Sequence, residues 1–297
     1  MIDPVRFSVV VVWRHAHEAV EETLRTLQAQ FGSVAGGGEL IVVTSLAEPE
    51  TCAIEDAFPD ARWVKLAQPL SESRAWEAGV AEARGEVVAF ANAGCRYAPG
   101  WAVAALGALA HDDEVAAGPV EFDKNSSLHA VAAYLCDYGV LADPNGPRRP
   151  IAAACNIAFR ASALRAKCAG RGLEKTALVS GSDFHLVWVT AMRAEASASE
   201  TFWSHCVARF LRGRRFASWR SKQWPLHLRL AAFLGCLFLP AILLARLVAN
   251  PYLRERFAPA IGLALPWLGA SLALWSLGEM VGYLAGERAQ KTSLQFQ

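Results

Sequence analysis

The feature that most constrains the fold is the alternation of short, wholly apolar β-type runs with helical segments over the first hundred residues. FSVVVVW (Phe7 to Trp13), ELIVVTS (Glu39 to Ser45), ARWVKLA (Ala61 to Ala67) and GEVVAFAN (Gly85 to Asn92) each read as a buried strand. Between them, Glu18 to Gln30 has helical spacing through Val20, Leu24 and Leu27, a short helix surrounds Ile54, and Ser71 to Ala83 supplies another. This order predicts an α/β fold with a doubly wound, mostly parallel sheet, whose ligands bind beyond the carboxyl ends of the strands.

Further along, the pattern predicts a helix over Gly100 to His111, a strand over Glu114 to Phe122, a helix over 128–141, a loop over Asp143 to Pro150 and a strand over Ile151 to Arg160. Two apolar runs follow, 16 uncharged residues from Leu230 to Ala245 and 22 from Phe257 to Gly278. A membrane helix needs roughly 20 such residues, so the second run is long enough and the first is short unless Leu226 to Arg229 snorkels. Pro240 and Pro266 sit inside the runs, where membrane helices tolerate them. The expected organisation is an α/β domain over 1–205, a basic interfacial helix over 206–225, a two-helix membrane anchor over 226–286 and a tail over 287–297. A buried helical hairpin in a soluble protein is the competing reading of the two runs.

The formal net charge of +1 conceals an asymmetry: residues 1–200 hold 25 acids and 17 bases, residues 201–297 hold 3 acids and 12 bases. No acid occurs between Glu200 and Glu255, where Arg209, Arg212, Arg214, Arg215, Arg220, Lys222 and Arg229 are interleaved with Trp219 and Trp224. Such a stretch before an apolar run suits an anionic membrane surface, at roughly 1 kcal/mol per cation. Nucleic acid is the weaker reading, because no nucleic-acid motif accompanies the charge. The bases predict an inner-membrane protein with its large domain in the cytoplasm, against which Arg246, Arg254 and Arg256 stand in the loop between the runs. The 7 cysteines are scattered, odd in number and without a CxxC pair, which points to a reducing compartment rather than a disulfide framework or zinc site. Val9 to Trp13, ended by Arg14, is too short for a signal peptide and reads as the first strand.

The segment SRAWEAGVAEARGEVVAFANAGCRYAPGW (Ser73 to Trp101), with the strands before it, resembles the N-terminal half of a family 2 glycosyltransferase of the GT-A fold. CNIAFR (Cys155 to Arg160) is similar to the family's Asn-bearing acceptor-side strand, and SDFHL (Ser182 to Leu186) stands where its Glu-Asp pair normally does. His205 with FLRGRRFASWR (Phe210 to Arg220) resembles the downstream His and GR-x-x-A segment, and WSLGEMVGYLAG (Trp275 to Gly286) the tail of a membrane-associated branch.

The resemblance implies an inverting transferase that moves a sugar from a nucleotide-diphosphate donor to a membrane-proximal or lipid-linked acceptor in envelope glycan synthesis. It implies a nucleotide-sugar site at Val12, Thr44, Ser45, Arg74, Asn92 and Gly94, an acceptor side at Asn156, Ser182 and His205, and Asp183 as the base that takes the acceptor proton. Asp183 also reads as the N-cap of a helix over SDFHLVWV. In the family an Asp follows the second strand and a DxD follows the fourth, the latter giving Mg²⁺ or Mn²⁺ hard oxygen ligands on the pyrophosphate. This chain departs from both: Thr44 and Ser45 occupy the first position, and Asn92, Ala93 and Gly94 the second. Asn92 is left as a weak, neutral metal ligand.

Arg74 or Arg96 is suited to replace the metal as a phosphate fork. Trp76 and Glu77 stand where the family often carries Arg-Asn, His15 and His17 lack a third metal ligand, and no mechanism singles out Asp123 or Asp137. Glu279 reads as a polar anchor at the end of the second run, with Tyr283 at the interface. The missing carboxylates also support a second expectation, a catalytically degenerate scaffold or glycan-binding partner.

Overall fold

The computed structural model describes residues 6–14, 20–46, 48–68, 72–112, 114–122, 126–141, 143, 155–168, 184–196 and 201–285. The chain divides into two compact units, 1–122 with 141–199, and 123–140 with 200–297. Ser182 and Asp183, and with them His15, His17 and Asp123, lie outside the described residues.

The first unit is a three-layer α/β structure. Its elements are β1 (Phe7–Trp13), α1 (Val20–Gln28), β2 (Gly38–Thr44), α2 (Glu48–Ala57), β3 (Arg62–Lys65), α3 (Glu72–Glu82), β4 (Val87–Asn92), β5 (Cys95–Tyr97), α4 (Trp101–Ala108), β6 (Glu114–Ala117) and β7 (Val120–Glu121). Past the helix that belongs to the second unit come β8 (Asn156–Arg160), α6 (Ala161–Cys168), β9 (His185–Trp188) and β10 (Ala194–Ala196). Seven strands make one sheet in the order β3-β2-β1-β4-β8-β6-β9, and β5-β10-β7 make a small second sheet. In the large sheet, β3 through β4 are parallel, β8 is antiparallel to both neighbours, and β9 is parallel to β6. The sheet is therefore mostly parallel, as its apolar runs predict.

Every residue of β1 is buried, because it is a central strand covered on both faces. One face packs Val10, Val12, Ile41, Val43, Phe90 and Phe159 against Ala75, Trp76 and Val80 of α3, with Trp76 stacked on Phe90 at 4.6 Å. On alternate residues, Phe7 meets Trp101 edge-on at 5.8 Å.

Two local expectations change. Glu114 to Phe122 is not one strand: Gly118 and Pro119 separate β6 from β7, which join different sheets. The described part of SDFHLVWV is not helical, for His185–Trp188 forms β9, paired with Glu114 to Ala117. The β-branched and aromatic residues of HLVW gain more from closing the apolar edge of β6 than from a short helical turn.

The second unit is helical: α5 (Leu128–Tyr138), α7 (Phe202–Arg220), α8 (Leu226–Gly235), α9 (Leu239–Val248) and α10 (Pro251–Ala285). Thr201 caps α7 by accepting a hydrogen bond from the Ser204 amide. The first apolar run is broken into α8 and α9, bent by 56° at residues 236–238, with Pro240 in the first turn of α9 where its missing N–H costs nothing. At 35 residues, α10 is long and apolar enough to cross a membrane, and α8 with α9 makes a second such span only if the bent pair counts as one. Leu237 (63% exposed), Phe238 (68%) and Leu263 (65%) show how much apolar side chain these helices leave uncovered within the unit.

Candidate active site

The carboxyl ends of β2, β1 and β4 lie side by side, with Trp13 opposite Thr44 and Val12 opposite Asn92. The register thus brings Val12, Thr44, Ser45, Asn92 and Gly94 to one edge of the sheet, where an open α/β sheet binds ligands. Their side chains are used differently. Val12 belongs to the core, and the buried Thr44 hydroxyl accepts from the Leu46 amide at 3.1 Å, which fixes the turn after β2. Asn92 is half-buried, and among the described residues its side-chain amide has no hydrogen-bond partner.

Two hydroxyls shape the turn after β4. Thr23 of α1, almost fully buried, accepts from the Gly94 amide (3.0 Å) and donates to the Cys95 carbonyl (2.8 Å). Tyr97 accepts from the Asn92 amide (3.1 Å) and donates to the Cys155 carbonyl (2.7 Å). Gly94 has φ = 85°, a left-handed conformation that residues with a Cβ adopt reluctantly, so the turn favours glycine. Neither Thr23 nor Tyr97 was legible as a positioning group, because Thr23 reaches Cys95 across 72 residues of sequence and Tyr97 reaches Cys155 across 58; only the tertiary fold brings donor and acceptor together.

The candidate cations are committed elsewhere. Arg74, on α3, pairs with Glu77 at 2.9 Å and is largely exposed. Arg96 pairs with Glu195 (3.1 Å) and Glu22 (3.3 Å), and the Glu195 carboxylate raises its pKa. Neither guanidinium is a spare phosphate fork in this arrangement.

Asn156 is fully buried at the start of β8, where its amide is saturated. It donates to the carbonyls of Pro119 (3.0 Å) and Met192 (2.8 Å) and accepts from the Trp101 indole (2.7 Å). The group expected on the acceptor side is a clasp that ties β8 to the β6–β7 connection and the turn before β10. Asn156→Leu should therefore leave three buried polar groups unpaired and lower stability by about 2–4 kcal/mol. Denaturant unfolding of the two proteins measures this; an unchanged midpoint would show that the clasp carries no weight.

Because His185 pairs with Glu114 and Trp188 with Ala117, the amino end of β9 lies at the edge opposite Thr44 and Asn92. Phe184, beside it, packs edge-on against Phe159 at 5.0 Å.

His205 is buried in the second unit, on α7. Its Nδ1 lies 3.8 Å from Asp137 of α5, which also pairs with Arg209 (2.9 Å) and Arg212 (2.8 Å). Burial pushes the Asp137 carboxyl up, but Arg212 and Arg209, with His205, outweigh it and hold the pKa below the usual carboxylate range. Asp137 is thus the counter-ion of α7, a role with no signal in sequence because its partners lie some seventy residues away.

The mostly parallel α/β sheet is that of the GT-A fold, and solved structures of that fold are similar over most of the chain. A mannosyltransferase from Pyrobaculum calidifontis, PcManGT in complex with GDP-Man and Mn²⁺, is similar over 93% of this chain and 87% of its own, at 16% identity and a TM-score of 0.55. TarS of S. aureus, residues 1–349, is similar over 99% and 92%, at 13% identity and a TM-score of 0.50. These identities speak for the fold. The chain belongs to glycosyl transferase family 2, whose sequence profile matches residues 8–166. No curated protein matches it.

Proposed function

We propose that this protein is an inverting glycosyltransferase that moves a sugar from a nucleotide-diphosphate donor to a membrane-proximal or lipid-linked acceptor in envelope glycan synthesis. Membership of family 2 carries this reading, and the strand register that brings Thr44, Ser45, Asn92 and Gly94 to one edge supports putting the donor there. The apolar helix α10 and the acid-free stretch before it support an inner-membrane protein with the large unit in the cytoplasm.

In the reaction, the acceptor hydroxyl oxygen attacks the anomeric carbon as the bond to the diphosphate breaks. The electron pair leaves with the nucleotide diphosphate, and the acceptor proton passes to a carboxylate. By the likeness of SDFHL (Ser182 to Leu186) to the family's Glu-Asp segment, Asp183 is that carboxylate. Glu174 is the other acid in the sequence between β8 and β9.

A divalent cation would neutralise the leaving diphosphate, but the donors at this edge do not suit one. Asn92 offers a single neutral oxygen, Gly94 no side chain, and no group of three or more His, Cys, Asp or Glu among the described residues is placed to hold a metal. No step is therefore routed through a metal. Purified protein in detergent, given UDP-, GDP- and dTDP-sugars with membrane extract, should release nucleotide diphosphate from one donor, at a rate unchanged by EDTA. Release that needs Mn²⁺ would sink the metal-independent reading.

The missing carboxylates at Thr44, Ser45, Asn92 and Gly94 favour one second reading, a degenerate scaffold or glycan-binding partner. It predicts no release with any donor and no nucleotide binding in calorimetry.

A further inference from the structure

We infer that the C-terminal end of α10 carries a seat for anionic phospholipid headgroups, formed by Trp219, Arg220, Trp224, Arg229 and Tyr283. The inference rests on reading the second unit as membrane-associated.

By composition, the apolar run of α10 continues to Gly278, but the surroundings change at Trp275. The Arg209 guanidinium lies 4.3 Å over the Trp275 ring, and the same guanidinium is ion-paired with Asp137. The Trp275 indole donates to Glu279, which also accepts from the Tyr283 hydroxyl at 3.3 Å. Charges in such density are costly at hydrocarbon depth and ordinary at headgroup level, where Trp and Tyr also gather. A boundary at Trp275 leaves the uncharged residues 257–274, which rise about 27 Å, close to the roughly 30 Å of a hydrocarbon core.

Beyond that boundary, cations and aromatic rings alternate. Trp224 stacks on Tyr283 at 6.0 Å with planes 8° apart, and the Arg220 guanidinium lies 5.0 Å over the Trp224 ring. Arg229 donates to the carbonyls of Tyr283 (2.8 Å) and Leu284 (3.2 Å), occupying acceptors that the end of α10 leaves open. Trp219 is 52% exposed beside them in sequence.

Arg220 is exposed and makes no ion pair among the described residues, and the Glu279 carboxylate that it influences is buried and held by Trp275 and Tyr283. With its Cζ 5.0 Å over the Trp224 ring, its N–H groups are left to fork a phosphate. Charge complementarity therefore selects an anionic lipid over a neutral one.

The test uses the full chain in detergent micelles, with tryptophan fluorescence quenched by brominated phosphatidylglycerol or brominated phosphatidylcholine at low salt. The anionic lipid should quench at about fivefold lower mole fraction for each cation it engages. Arg220→Gln should erase one such factor, Trp219→Phe should remove much of the anionic-specific signal, and Arg25→Gln, on the first unit, should change nothing. Equal quenching by both lipids, or a preference that Arg220→Gln leaves at full strength, would overturn the seat. A two-chain mass with Trp219 shielded from both lipids would overturn it in favour of a contact between copies. No quenching by either lipid would instead bring down the membrane reading on which the seat rests.

Discussion

Asp183→Asn should lower sugar transfer by about 10²- to 10⁴-fold, while Glu174→Gln leaves it near the parent rate. Each amide keeps the size and polarity of its acid but cannot accept the acceptor proton, so nucleotide binding should survive in both variants. Nucleotide release under single-turnover conditions reads the chemical step, and calorimetry reads binding. The expected split follows from the place of Asp183 in SDFHL, which stands where the family carries its Glu-Asp pair. The reverse split would move the base to Glu174. Parent-like rates in both variants would move the base outside this connection altogether.

The second large effect concerns α7 and α10, which run in register past one another through glycine. A Cβ at Gly278 would lie 2.1 Å from the Phe210 carbonyl oxygen and 2.9 Å from the Arg214 amide, both backbone atoms that cannot rotate away. Gly213 faces the Trp275 carbonyl and Gly282 the Arg214 carbonyl in the same way, with 2.3 Å in each case. Gly278→Val should therefore force the helices apart and destabilise the second unit by more than about 3 kcal/mol, above the usual cost of overpacking. Thermal unfolding in detergent, followed by proteolysis of the helical unit, would show a clear fall in midpoint. Gly262→Val on the same helix is the control, because a Cβ there meets nothing within 4 Å. Equal melting of the two variants would mean that the close helix contact contributes nothing.

Burial pushes the Cys136 thiol of α5 up to about 12, so at neutral pH it is an apolar filler rather than a nucleophile. Cys52, Cys95, Cys155, Cys206 and Cys236 are free thiols as well.

What was legible in sequence is what repeats locally. Strand and helix periods, read within windows of ten residues, identified β1, β2, β3 and β4 with their helices, and a parallel sheet buried on both faces followed from their unbroken apolar character. The apolar length of α10 and the motif order that marks family 2 were local signals of the same kind. The break at residues 236–238 was signalled only by Pro240. Tertiary structure decided matters that depend on partners distant in sequence. It made Asn156 a clasp rather than an open acceptor contact, because its three partners converge from residues 101, 119 and 192. It engaged Arg96 with Glu22 and Glu195, gave Asp137 its arginines, and turned HLVW into an edge strand that sets Phe184 against the far side of the sheet. A side chain's chemistry is written in its residue type, but which atoms it meets depends on how separate segments pack. The sequence alone thus determined the family and the α/β architecture; the assignment of site residues waited on the register of the strands.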